Sequence, residues 1–336
     1  MKRSVMALSV GVSMALASTA MAQFGYGLVG QFNLPAGAAA WDVDATGRAW
    51  ALVGNTVYAE NSAGGGVFSP FGSVPAGTVS SFGGSFIRVN DAGTSIAIGD
   101  GNFGAGARVH FVSTAALGSA GPGGAATQSV PSGNFDGNWN GNQFYVTGSG
   151  ADFVPYVNRV SFSDATGDPF AVTIITAVGS GSGGVAFSGG NIFTGVGFGG
   201  GGLQTGDIRS FNLLALNSQD FPSPYNTGTP IIGGPVLSAW PLAFDAAGRL
   251  LVGGGDSFGG TTEIGYVAVI DLATGVRQLL SPAGDDTTYG VDFNSALGQI
   301  YVSEGGTIYR YAVPAPGAAG VLTLGGIVAL RRRRRA

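Results

Sequence analysis

Apolar and polar residues alternate in short runs along most of this chain, and clusters of Gly, Asp, Asn and Ser interrupt them. Alternation with period two predicts strands that bury one face, and the interruptions predict tight turns. Six of the runs come as pairs around a glycine: Trp41 through Gly47 to Leu52, Phe86 through Gly93 to Ile98, and Phe135 through Gly141 to Val146. The other three are Val185 through Gly189 to Phe193, Leu242 through Gly248 to Val252, and Val291 through Gly298 to Val302. Each turn carries Asp, Asn or Ser shortly before its Gly, which is the chemistry of a hairpin whose bend requires positive φ.

The turn glycines stand 46, 48, 48, 59 and 50 residues apart. A period of this length with several short strands per unit predicts an all-β fold of β-propeller blades. Third strands follow five of the six hairpins at 108–112, 157–162, 207–213, 266–270 and 307–311, and fourth strands lead into Pro-x-Gly corners at Pro35, Pro75, Pro131 and Pro282. The first corner precedes any first strand, and the last repeat stops after its third strand at Val313. The segment 25–35 is therefore expected to supply the missing fourth strand of the last blade. The count is six four-stranded blades, with seven as the second choice. The repeat resembles the loose Tyr-Val-Thr-Asn and NHL types of propeller unit over about 290 residues.

Composition fits this architecture, with 62 Gly, 10% charged residues and 45% hydrophobic residues. No Cys is present, which excludes disulfides, thiolate nucleophiles and Cys-ligated metals. The formal charge of −4 hides an asymmetry. Lys2, Arg3 and Arg331 to Arg335 are seven of the 15 basic residues, so the body keeps eight Arg against 19 acidic residues. A body this acidic argues against nucleic acid as a partner.

The two ends predict export. Residues 1–22 run from Lys2-Arg3 through an apolar stretch to Ala20-Met21-Ala22, the layout of a signal peptide cleaved between Ala22 and Gln23. The far end, 314–336, follows Val313 with Pro314-Ala315-Pro316, an apolar stretch to Leu330 and then Arg331, Arg332, Arg333, Arg334 and Arg335. An apolar run followed by cations reads as a short stop-transfer anchor with its Arg cluster on the cytoplasmic side. This tail resembles the PEP-CTERM sorting signal, with Ala315 where that family usually has Glu. The resemblance implies recognition by an exosortase-like enzyme, transient anchoring in the inner membrane, and a destination at the cell surface or in an exopolysaccharide matrix.

Motif matches in the body point to loops. Gly255-Asp-Ser257-Phe-Gly259 fits a nucleophile-elbow spacing, but His110 is the only His and lies upstream of it. No catalytic set is assigned. One His and no Cys exclude a closed zinc site, while oxygen ligands leave Ca²⁺ open as a cofactor. The loops between second and third strands carry Asp100, Asp152, Asp256 and Glu304, and the corners leading into the inner strands carry Trp240, Asp285, Asp286 and Tyr289. These eight residues are expected on one face of the propeller. Carboxylates among aromatic rings there could hold Ca²⁺, stack on sugar rings of an exopolysaccharide, or meet a surface protein. The expected role is a non-enzymatic binding module. A carbohydrate-active hydrolase or lyase and a ligand-free structural spacer are the alternatives.

Overall fold

A computed structural model describes residues 24–80, 83–102, 106–118, 126–129, 134–149, 155–162, 169–177, 183–197, 206–217, 228–231, 239–254, 266–280 and 290–313. The predicted signal peptide with its Ala22–Gln23 junction lies outside these residues, as does the tail beyond Val313. Among the described residues no helix is long and apolar enough to cross a membrane.

The chain forms six four-stranded antiparallel sheets, as the repeat predicts. Strand β1 (Gly27–Asn33) comes first and belongs to the last sheet. Blade 1 holds β2 (Ala40–Val43), β3 (Ala49–Val53), β4 (Thr56–Glu60) and β5 (Phe68–Ser73). Blade 2 holds β6 (Ile87–Val89), β7 (Ser95–Gly99), β8 (Arg108–Ser113) and β9 (Ala126–Ser129). Blade 3 holds β10 (Asp136–Asn140), β11 (Gln143–Ser149), β12 (Pro155–Phe162) and β13 (Pro169–Ala177). Blade 4 holds β14 (Val185–Ser188), β15 (Asn191–Gly195), β16 (Ile208–Asn212) and β17 (Thr229–Pro230). Blade 5 holds β18 (Leu242–Phe244), β19 (Leu250–Gly254), β20 (Tyr266–Ile270) and β21 (Arg277–Leu279). Blade 6 holds β22 (Gly290–Asn294), β23 (Gln299–Glu304) and β24 (Thr307–Ala312), and β1 completes it.

Closure follows the sequence expectation: β1 pairs antiparallel with β24 from Gly27 opposite Ala312 to Asn33 opposite Thr307. The segment just before β1 reaches blade 5. There the Phe24 amide donates to Gln278 Oε1 at 2.8 Å and the Tyr26 hydroxyl donates to Asp245 Oδ2 at 2.7 Å. The Arg249 guanidinium lies over the rings of Phe24 and Tyr26 at 5.1 and 4.7 Å, and its Nη2 is 2.8 Å from Asp245 Oδ2.

The hairpin glycines 47, 93, 141, 189, 248 and 298 all have positive φ. The acid or amide before them caps the bend: Asp44 Oδ1 accepts from the amides of Thr46 and Arg48, Asp245 Oδ1 from those of Ala247 and Arg249. The core is divided into layers between neighbouring blades. Trp50, Leu52, Ile87 and Ile98 fill the space between blades 1 and 2, Phe86, Phe111 and Phe144 that between blades 2 and 3, and Leu242, Leu250 and Phe193 that between blades 4 and 5. The third strands fall within two residues of the expected bounds, and at one of them the chain changes element. The third strand of blade 4 is Ile208–Asn212, and Leu213 opens a five-residue helix whose Ala215 amide is capped by Asn212 Oδ1.

Candidate functional site

The inner strands surround a central channel, and on the side where the corners enter these strands it widens into a mouth of about 390 Å³. Its wall comes from five blades: Ala39 and Trp41, Ser85 and Phe86, Phe135, Trp240 and Pro241, Gly290, with the hairpin Gly305–Gly306 beside them. A smaller cavity of about 190 Å³ opens at the opposite, hairpin end, lined by Asp44, Asp91, Asn138 and Ser295. Arg88 and Asp292 line both cavities, so the group they belong to stands between them.

That group is one guanidinium among three carboxyls. Arg88 Nη2 is 2.7 Å from Asp136 Oδ1, and Nη1 is 3.5 Å from Asp42 Oδ1. Arg88 also donates from Nε to the Gly137 carbonyl at 2.9 Å and from Nη1 to the carbonyls of Ile87 at 3.1 Å and Trp41 at 3.3 Å. Each carboxylate in turn reaches the next blade. Asp292 Oδ2 accepts from the Val43 amide, Asp42 Oδ2 from Val89 and Asp136 Oδ2 from Val185. The cluster thus ties blades 6, 1, 2, 3 and 4 around the axis.

Three carboxyls cannot all be neutralised by one cation in a buried place. Burial pushes Asp42 well above the usual carboxylate range, against the pull of Arg88, and the neighbouring Asp292 charge adds to the rise. Burial likewise raises Asp292 and Asp136 against the pull of Arg88. Asp42 and Asp292 are close enough for the charge on one to raise the other, so the two do not ionise independently. Burial opposes the charge on Arg88, but Asp136, Asp42 and Asp292 more than offset this and hold it protonated.

Two partly exposed indoles stand on the rim, and glycines seat both. Trp41 Nε1 donates to Ser303 Oγ at 2.9 Å, and Ser303 Oγ also accepts from the Gly290 amide at 2.9 Å. A Cβ at Gly290 would lie 2.6 Å from Trp41 Nε1. Across the mouth, a Cβ at Gly184 would overlap the Trp240 carbonyl oxygen. The Trp240 ring meets Phe135 edge-on at 5.6 Å, and its buried Nε1 has no hydrogen-bond partner among the described residues.

Of the eight residues expected from sequence, three are described. Trp240 lines the mouth. Glu304 is partly exposed at the end of β23, next to the mouth residues Gly305 and Gly306. Asp100 is 2% exposed and accepts from Asn102 N, Asn102 Nδ2 and Asn134 Nδ2, bracing the loop after β7 against the residue before Phe135. Asp152, Asp256, Asp285, Asp286 and Tyr289 lie outside the described residues, as do Pro314, Pro316 and Arg331 to Arg335. Val313 is described, and its amide donates to the Gly298 carbonyl at 3.1 Å. Among the described residues no three His, Asp or Glu gather in a way that could hold a metal ion. His110 is buried in β8, where burial lowers its pKa.

The sequence reading did not single out Asp42, Arg88, Asp136 or Asp292. A signal was available: Trp41-Asp42-Val43, Ile87-Arg88-Val89 and Val291-Asp292-Phe293 each place a charge between apolar residues of an inner strand.

No family model matches the chain, and no curated protein matches it. Among solved structures it is similar to a chain of a mitotic checkpoint complex, at 12% identity and TM-score 0.51, covering 87% of this chain and 97% of that one. A Bacteroides thetaiotaomicron protein of unknown function matches at 11% identity and TM-score 0.50, covering 87% of this chain and 72% of its own. The β-propeller domain of Myceliophteria thermophila Cps50 (Swd1) matches at 11% identity and TM-score 0.50, covering 84% of this chain and all of that domain. At such identities the likeness carries the fold alone, and that fold is the β-propeller.

Proposed function

We propose that this chain is an exported, surface-sorted protein of the cell envelope or extracellular matrix, and that its propeller binds polysaccharide at the mouth of the central channel without turning it over. The observation that carries the binding role is the rim. Trp41 and Trp240, set in different blades and held by Gly290 and Gly184, border a cavity of about 390 Å³. Aromatic faces bury the apolar faces of sugar rings. The signal-peptide layout and the PEP-CTERM-like tail support the address, with an exosortase-like enzyme as the partner that processes the tail.

A hydrolase or lyase is the second reading, favoured by Asp136 and Asp292, two carboxyls raised by burial that line the same mouth. One experiment addresses both. Thermal unfolding of the purified protein is followed with a panel of polysaccharides, including the host's own exopolysaccharide, with and without Ca²⁺. Any ligand that raises the midpoint is then assayed for cleavage. Binding stabilises by mass action, so a shift that Trp240→Ala removes, without product, supports the binding module. Product formation lost in Asp292→Asn supports the enzyme. No shift with any glycan leaves the spacer. Fractionation of cells making the full chain against one lacking 314–336 tests the address, and unchanged surface display without the tail would sink it.

A further inference from the structure

We infer that the mouth of the channel selects a polysaccharide bearing free amino groups, an amino sugar carrying a protonated amine, over a uronate chain. This rests on the reading of the mouth as a glycan site and specifies the occupant. Arg88 is the one cationic side chain lining the mouth among the described residues, and it is not available to an anion. Its Nε and Nη1 serve three backbone carbonyls, and Nη1 and Nη2 face Asp42 and Asp136. A carboxylate entering the mouth would meet a guanidinium already neutralised, with Asp136 and Asp292 beside it on the same wall.

The opposite charge meets the reverse situation. Three carboxyls face one guanidinium, and two of them, Asp136 and Asp292, line the mouth beside it, so an ammonium above them would supply counter-charge that Arg88 alone does not. The walls suit such a group as well, because the faces of Trp41 and Trp240 attract cations as well as sugar rings. The far field acts in the same direction: eight Arg against 19 acidic residues in the body draw a cationic chain inward and repel a uronate. The amino sugar is the ligand class that combines a stacking ring face with an ammonium.

The test is calorimetric titration of the purified full-length protein with a glucosamine oligomer, its N-acetylated counterpart of equal length, a galacturonate oligomer and a lysine oligomer of matched charge. The glucosamine oligomer is expected to bind on the order of tenfold more tightly than the acetylated one. That advantage should shrink as salt is raised. It should also shrink in Asp292→Asn, which keeps an acceptor for the Val43 amide and whose folding is checked by its melt. Equal binding of the acetylated and amine forms overturns the inference and leaves the glycan site standing. Tightest binding by the uronate also overturns it. Lysine-oligomer binding as tight as glucosamine assigns the preference to the acidic surface at large, which overturns it too. If no oligomer binds, or if Trp240→Ala binds them unchanged, the reading of the mouth itself fails.

Discussion

The carboxyl pair Asp42–Asp292 makes the ring sensitive to pH at a single residue. Both groups, and Asp136, have folded-state pKa values raised by burial against the pull of Arg88. A carboxyl raised on folding binds its proton more firmly in the folded chain than in the unfolded one. Its contribution is therefore complete below the ordinary carboxylate pKa of about 4 and is lost as pH rises through the raised folded value. The midpoint of the natural chain is expected to fall between mildly acid and mildly alkaline pH. Asp292→Asn keeps an acceptor for the Val43 amide and removes one of the two competing charges, so its midpoint should fall less over the same window. Melts of both proteins at several pH values check this, and parallel curves would show that the pair does not carry the dependence. Single residues were the least legible scale. An Asp in an alternating strand reads as a solvated polar position, and only the ring brings Asp292, Asp42, Arg88 and Asp136 from four blades onto one axis.

Elements were legible because a turn is local. The Gly at each hairpin is demanded by its own bend, and the Asp before it by amides two and four residues on, as at Asp44 and Asp245. The contacts between elements are another matter. Nothing local in the sequence marks Gly183, Gly184 and Gly195, yet they admit the backbone of Ala239 and Trp240 from blade 5 against blade 4. The Gly184 amide donates to the Ala239 carbonyl at 3.1 Å, and the Ala239 amide to the Val196 carbonyl at 3.2 Å. A methyl at Gly184 has no room, because what it meets is backbone rather than the end of a flexible side chain. Gly184→Ala is expected to cost roughly 1–3 kcal/mol by overpacking, and to displace Trp240 from the rim. Chemical denaturation measures the first effect and the change in Trp fluorescence on adding ligand the second. A variant as stable as the natural chain, with ligand response intact, would mean that blades 4 and 5 separate there without cost.

At the scale of the whole molecule, six sheets become one ring through the segment 24–33. That closure was legible from the register of the repeat, since a corner at Pro35 with no strand before it and a last blade one strand short call for each other. The latch on blade 5 was not, because nothing in the neighbourhood of Phe24 or Tyr26 in sequence points to Asp245 or Arg249, more than 200 residues on. The two parts of this segment do different work. Strand β1 covers the edge of β24, whose N–H and C=O groups would otherwise be open to pairing with another chain. Phe24 and Tyr26 bind the strand's approach to blade 5 through the shared Asp245 carboxylate and the Arg249 guanidinium stacked on both rings. Their removal should therefore give separable results. Arg249→Ala loosens the latch while β1 still pairs, and a loss of about 1–3 kcal/mol with the protein still monomeric is expected. Deleting 24–33 opens both the ring and an edge strand, and a fall in midpoint on the order of 10 °C, with association that grows with concentration, is expected. Melts and sedimentation at several concentrations distinguish the two. If the deletion stays monomeric and melts with Arg249→Ala, the latch closes the ring and β1 only covers it; if Arg249→Ala associates as the deletion does, β1 leaves its blade once the latch is gone, and strand and latch act as one device.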